Sequence, residues 1–156
     1  SSVKFLLAGN GYEKEKLVEK AKKLDLINDS IVFLDYIPKN RMPDLLSAAT
    51  ITTSFFIDLP EMNNNSANKF FDGLAAGKPV MINYDGWQAE LLNKTKAGFT
   101  IPKNNPKQAA KLLNDVLKNK ERINQMSLCS ERLSLKFDIN TNYQKFEQVI
   151  DTAYSS

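Results

Sequence analysis

Residues 51–82 read ITTSFFIDLPEMNNNSANKFFDGLAAGKPVMI, and the order of signals inside them decides the fold. Residues 51–56 are a short β-branched and aromatic run, the composition of a strand. A polar loop follows, with consecutive asparagines at 63, 64 and 65. Ala67, Phe70, Phe71 and Leu74 then recur at helical spacing. Gly77-Lys78-Pro79 supplies a helix C-terminus and the start of the next segment, and Val80, Met81 and Ile82 form a second apolar strand. Strand, helix and strand in so short a span is a parallel crossover.

The same alternation continues on both sides. Upstream, residues 3–8 (VKFLLA) are an apolar run closed by Gly9-Asn10-Gly11, a buried strand ending in a turn. Leu17, Val18, Ala21 and Leu24 repeat at helical spacing, residues 31–34 (IVFL) are the next strand, and Leu45, Leu46 and Ala49 form a short helix face behind Pro43. Downstream, residues 89–92 are a short helix and residues 99–101 a last strand. Beyond them the pattern is helical only. Asn105-Pro106 is a cap followed by proline at the first helical position, and Ala109, Leu112, Leu113 and Val116 line one face. A second helix covers residues 120–133, and a third carries Tyr143, Phe146, Val149 and Ile150.

This order predicts an α/β fold: a Rossmann-like open parallel sheet with helices on both faces and a helical C-terminal tail, one domain over residues 1–156. In such sheets ligands bind beyond the carboxyl ends of the strands. The loops at 9–11, 36–38, 58–67 and 84–87 all follow strands and are expected on one edge.

Composition narrows the chemistry. The chain has 156 residues, 25% of them charged and 42% hydrophobic, an ordinary globular balance. The net charge is +3, but the lysines are spread over helices, so the basic stripe of a nucleic-acid binder is not formed. Cys129 is the only cysteine and histidine is absent. Ser-His-Asp and Cys-His nucleophilic schemes are thereby removed, together with the commonest metal ligand, and neither a metal nor a cofactor is expected. No signal-peptide pattern and no apolar run of the ~20 residues that span a bilayer is found, so the expected location is the cytoplasm.

The chemical candidates converge on the loop-to-helix junction. Ser66 or Asn65 is a suitable cap, which leaves the following amides outward at the positive end of the helix dipole, a phosphate-binding arrangement. Positions 65, 69 and 72 fall on one stripe, so Asn65, Lys69 and Asp72 face the same way, and Asp72 can accept both hydroxyls of a ribose. The plainer alternative is a capped loop with an exposed Lys69–Asp72 pair and turn-forming asparagines. Gly9-Asn10-Gly11 lacks the third glycine of a dinucleotide fingerprint and reads as a tight turn. Lys78 reads as solvated, and Trp87 as either a wedge between helix and sheet or a stacking surface.

The segment SANKFFDGLAAGKPVMINYDGWQAELL (66–92) resembles the donor-binding segment of retaining GT-B glycosyltransferases of family 4. It is most similar to bacterial members that build capsule and O-antigen units from N-acetylated amino sugars. VKFLLAGNGYEKEKL, IVFLDYIPKNRMPDLLSAATI and AGFTIP resemble the family's flanking segments in order and spacing. The resemblance implies one half of a GT-B fold, the donor-binding C-terminal half, with its first strand–helix unit missing. It implies a hexosyltransferase as part of a longer chain, with this domain inactive in isolation.

The family's signature is a glutamate, seven residues and a second glutamate. Asp72 takes the second position, implying ribose binding; Asn64 takes the first, implying a contact to the donor sugar without charge. Glu61 is near enough to replace it if the loop bends. Asn65, Ser66, Ala67, Asn68 and Lys69 are implied to meet sugar and phosphate, and Tyr36 and Ile37 to frame the base. The implied partners are a nucleotide-sugar donor of the UDP-N-acetylhexosamine type and a lipid-linked sugar acceptor, the latter bound mainly by an N-terminal domain. Peripheral association of the longer enzyme with the inner membrane face follows from that acceptor. Two rivals are a non-hydrolysing epimerase, whose sites lean on histidines, and a non-catalytic Rossmann-like module that binds a nucleotide or a protein.

Overall fold

The computed structural model describes residues 3–154. Five strands and seven α-helices follow in the order β1 (Phe5–Ala8), α1 (Lys14–Lys23), β2 (Ile31–Leu34), α2 (Met42–Ala48), β3 (Thr52–Ser54), α3 (Asn68–Ala75), β4 (Val80–Ile82), α4 (Trp87–Thr95), β5 (Gly98–Thr100), α5 (Pro106–Leu117), α6 (Lys120–Ser134) and α7 (Ile139–Tyr154). The chain divides after Leu45 into two compact units. Every strand pairing is parallel. The fold is α/β, with parallel sheets flanked by helices, but the strands form two ladders, β1-β2 and β3-β4-β5, rather than a single one.

In the first unit β1 and β2 pair in register from Phe5↔Ile31 to Ala8↔Leu34. The glycine turn behind β1 is closed by a single lysine. Lys14 Nζ donates to Asn10 Oδ1 and to Asp35 Oδ1, each at 2.8 Å, and so ties the ends of both strands together. Gly9 has φ +134, a conformation that side chains with a Cβ rarely adopt, which explains glycine at this turn.

In the second unit β4 is the middle strand, and all three of its residues are buried. Side chains alternate across a strand, so a wholly apolar strand must be covered on both faces. Val80 and Ile82 join Phe70, Leu74, Tyr84, Ala89, Leu92, Ala97 and Leu133 in one core. Met81 joins Phe99, Val116 and Met126 in another. Helix α6 supplies Leu133 to the first and Met126 to the second, and its buried Ser130 donates to the Ala97 carbonyl at 2.8 Å.

Helix α3 ends in a Schellman motif: Gly77 N–H donates to the Leu74 carbonyl (2.9 Å) and Lys78 N–H to that of Gly73 (3.1 Å), with Gly77 at φ +64. Lys78, expected to be solvated, donates instead to the Ser47 carbonyl at 2.8 Å. The expected cap on α5 is present, with Asn105 Oδ1 accepting from Gln108 N–H at 3.1 Å. Asn119 plays the same part for α6 at 2.9 Å. Helix α4 is longer than its apolar pattern suggested, running from Trp87 to Thr95. The aromatic and aliphatic stripe of α7, Tyr143, Phe146, Val149 and Ile150, is exposed.

Candidate functional site

After Ser54 the chain leaves β3, and the polar segment 60–64 winds into a 3₁₀ turn. Glu61 and Asn64 are three apart in it, and 3₁₀ geometry stacks such positions on one side; both are exposed. Asn65 then anchors the loop. Its Nδ2 donates to the Met62 carbonyl, its Oδ1 accepts from Ala67 N–H at 3.2 Å, and its own carbonyl accepts from Trp87 Nε1 at 3.0 Å.

Helix α3 begins at Asn68, one turn later than the stripe through Asn65 requires, and its cap position is Ala67. Neither Ser66 nor Asn65 is the capping residue, a correction with a local cause. Asn65 folds back on its own turn and spends its side chain on Met62 and Ala67, as asparagines in Asx turns do. The consequence is chemical. Ala67 has no side-chain oxygen to offer, and the backbone N–H groups of Asn68 and Lys69 find no acceptor among the described residues. They remain at the positive end of a helix, where an anion is favoured. Asn64 to Lys69 are thus contiguous around this helix start. Asp72 follows on the helix, exposed, beside a shallow depression lined by Phe71, Ala75, Ser134, Leu135, Phe137 and Asp138.

Lys69 does not pair with Asp72. Its Nζ donates to the Phe55 carbonyl at 3.4 Å and lies 4.7 Å from the centroid of the Phe56 ring, a cation–π geometry. The Trp87 ring packs against Phe70 and Phe71 of α3, with 37% of its surface still exposed. Gly86 precedes it at φ +93, and a Cβ there would come within 2.1 Å of the Asn63 carbonyl oxygen. Only glycine lets the 3₁₀ turn and the start of α4 approach this closely.

Below the loop lies a polar network that the sequence did not disclose. The Tyr84 hydroxyl donates to Gln88 Oε1 at 2.5 Å and stands 3.2 Å from Ser54 Oγ. All three residues are buried. Burial pushes the Tyr84 phenol above its ordinary pKa, while the Ser54 and Asn65 side chains beside it act in the opposite direction. Asn83 accepts from Phe56 N–H with Oδ1 and donates to the Phe56 carbonyl with Nδ2, both at 2.9 Å. Asp58 pairs with Lys103 at 2.5 Å and accepts from Asn104 Nδ2 at 3.1 Å. The Lys103 ammonium holds the Asp58 carboxyl below the usual carboxylate range. The signal for these residues is faint: a lone polar side chain immediately after a buried strand, and one aspartate in an otherwise apolar loop.

Tyr36 and Ile37 lie in the first unit, just after β2; Tyr36 is 70% exposed and Ile37 half-buried. No helix among the described residues is long and apolar enough to cross a membrane.

Comparison with known proteins bears on the fold and the family. Spore coat protein SA of Bacillus subtilis (strain 168) is 23% identical over 127 residues, 81% of this chain and 32% of that protein. The crystal structure of Anabaena Alr3699/HepE in complex with UDP superposes with a TM-score of 0.81 at 18% identity, over 96% of this chain and 41% of that one. The same protein has been solved with UDP-glucose. Sucrose-phosphate synthase from Thermosynechococcus elongatus matches with a TM-score of 0.79 at 14% identity, over 96% and 38%. At such identities the two structures speak for the fold, and the chain spans well under half of each relative. The model for glycosyl transferases group 1 matches residues 1–130, most of the chain, and the protein belongs to that family.

Proposed function

We propose that this chain is the nucleotide-sugar-binding part of a retaining glycosyltransferase. The observation that carries the reading is the start of α3, which combines the free N–H groups of Asn68 and Lys69 with the exposed side chains of Asn64, Ser66 and Lys69. Free amides, helix dipole and cation are what a diphosphate needs. Family membership over residues 1–130 supports the same conclusion.

In this reading the α3 amides and Lys69 take the phosphates, Asn64 and Asn65 with Ser66 and Ala67 line the sugar side, and Asp72 accepts the ribose hydroxyls. Tyr36 and Ile37 frame the base. Fixed dipoles then meet the charge that develops on the leaving diphosphate as the glycosidic bond breaks. The donor we assign is a UDP-linked N-acetylhexosamine, and the acceptor a lipid-linked sugar in capsule, O-antigen or exopolysaccharide synthesis at the inner membrane face. The UDP part of this assignment draws support from HepE, which is solved with UDP and with UDP-glucose. The resemblance of residues 66–92 to amino-sugar transferases supports the remainder.

Titration with UDP and UDP-N-acetylglucosamine, followed by amide NMR, tests the site. Shifts at residues 64–72 and 36–38 are expected; saturation at millimolar nucleotide without them rejects it. In the full-length enzyme, Asp72→Ala is expected to raise the donor KM about tenfold or more, the loss of a charged hydrogen bond. Unchanged kinetics would remove the ribose role.

A further inference from the structure

Asn83 grips the backbone of Phe56 at two points with its side-chain amide. The β3–β4 ladder ends at Ser54↔Ile82. One residue further on, the two strands no longer pair through their backbones; the Asn83 side-chain amide stands between them and forms the rung, accepting from Phe56 N–H and donating to the Phe56 carbonyl at 2.9 Å each. An amide side chain presents the same donor and acceptor as a peptide group, but on a longer arm. The rung therefore spaces the Phe56 backbone from β4 by a side chain while leaving its N–H and carbonyl satisfied.

What Phe56 carries makes this spacing matter. The neighbouring Phe55 carbonyl accepts from Lys69 Nζ at 3.4 Å, and the Phe56 ring lies under the same ammonium, 4.7 Å from its centroid. The other side of the segment is fixed by Tyr84, whose ring meets the Phe56 ring edge-on at 5.2 Å. Lys69 is exposed, and a free lysine loses considerable rotamer entropy when it is fixed on a ligand. Here a carbonyl and a ring already confine it, and Asn83 sets where both of them stand.

We infer that Asn83 is a positioning residue that, through Phe55 and Phe56, presets the Lys69 ammonium for the phosphates of a nucleoside diphosphate. The inference rests on the donor-site reading given above. It separates phosphate recognition from nucleoside recognition, so uridine and UDP report on it differently.

The test uses binding of both probes to the chain and to Asn83→Ala, Asn83→Asp and Lys69→Met. Asn83→Asp keeps the acceptor for Phe56 N–H and loses the donor to its carbonyl. Asn83→Ala is expected to weaken UDP about fivefold with uridine unchanged. Asn83→Asp should fall between it and the parent. Adding Asn83→Ala to Lys69→Met should cost nothing further, the mark of two residues acting as one. A ligand-free readout keeps the outcome open to refutation even where affinity is low. The Lys69 ε-methylene protons should carry an upfield ring-current shift that Asn83→Ala and Asn83→Asp reduce. Equal losses of uridine and UDP, full additivity with Lys69→Met, or an unmoved Lys69 resonance in both Asn83 variants would overturn the inference. A parent chain that binds neither probe overturns the donor site as well, which distinguishes the two failures.

Discussion

A single hydrogen at Gly73 sets how closely α3 approaches the sheet. A Cβ there would lie 2.3 Å from Thr52 Oγ1 and 3.1 Å from Val80 Cγ2, inside a fully packed core. Gly73→Ala should therefore destabilise the chain by about 1–3 kcal/mol, as overpacking does, even though alanine is the better helix former. Urea denaturation measures it; a neutral or stabilising outcome would mean that α3 can lift away at little cost. Asp58 gives a second test at this scale. Its folded pKa lies below the ordinary value because of Lys103 and Asn104. The carboxylate then supports the loop at pH values above its unfolded pKa, and that support is lost as pH falls through the depressed folded pKa. Loop amides near Asp58 should shift in NMR only in strongly acidic solution, and Asp58→Asn should abolish the transition. The pair is partly exposed, at 31% and 47% for the Lys103 and Asp58 side chains, so added salt should weaken it.

The helices differ in how their ends are closed. α5 and α6 each begin at an asparagine whose side chain accepts a backbone N–H three residues on. Asn105→Ala and Asn119→Ala should each cost about 1 kcal/mol, read as a fall in the denaturation midpoint with unchanged slope. The start of α3 is built the opposite way, with no side-chain cap and two unpaired N–H groups. Such an end is less stable than a capped one, and its persistence accords with a ligand taking the place of the cap. Serine at position 66 pointed to a capped start; Asn65 folds back on its own turn, and the helix begins one residue later than a Ser66 cap would start it. Helix boundaries are the part of a pattern most easily moved by turn chemistry.

Across the whole molecule stability is uneven. β4 is buried on both faces, with Val80 and Ile82 wholly inaccessible and Met81 at 2%, whereas every residue of β1 is exposed. Amide exchange should therefore be slowest at Val80, Met81 and Ile82 and fastest, among the strands, at Phe5–Ala8. Comparable protection in both would show that exposure does not govern opening here.

The sequence by itself determined the element order, the parallel strand class, the cap on α5 and the glycine turn after α3. All of these follow from local spacing or from one residue's conformational preference. It also placed Asn64 to Asp72 at one loop-helix junction, because contiguous residues share a locality whatever the fold. Only the tertiary structure decided that the strands form two ladders, that Lys69 turns to Phe55 and Phe56 rather than to Asp72, and that Asn83 forms a rung with Phe56. Each of these depends on residues far apart in the chain meeting in space. A hydrogen-bond partner 27 residues away leaves no periodicity to read.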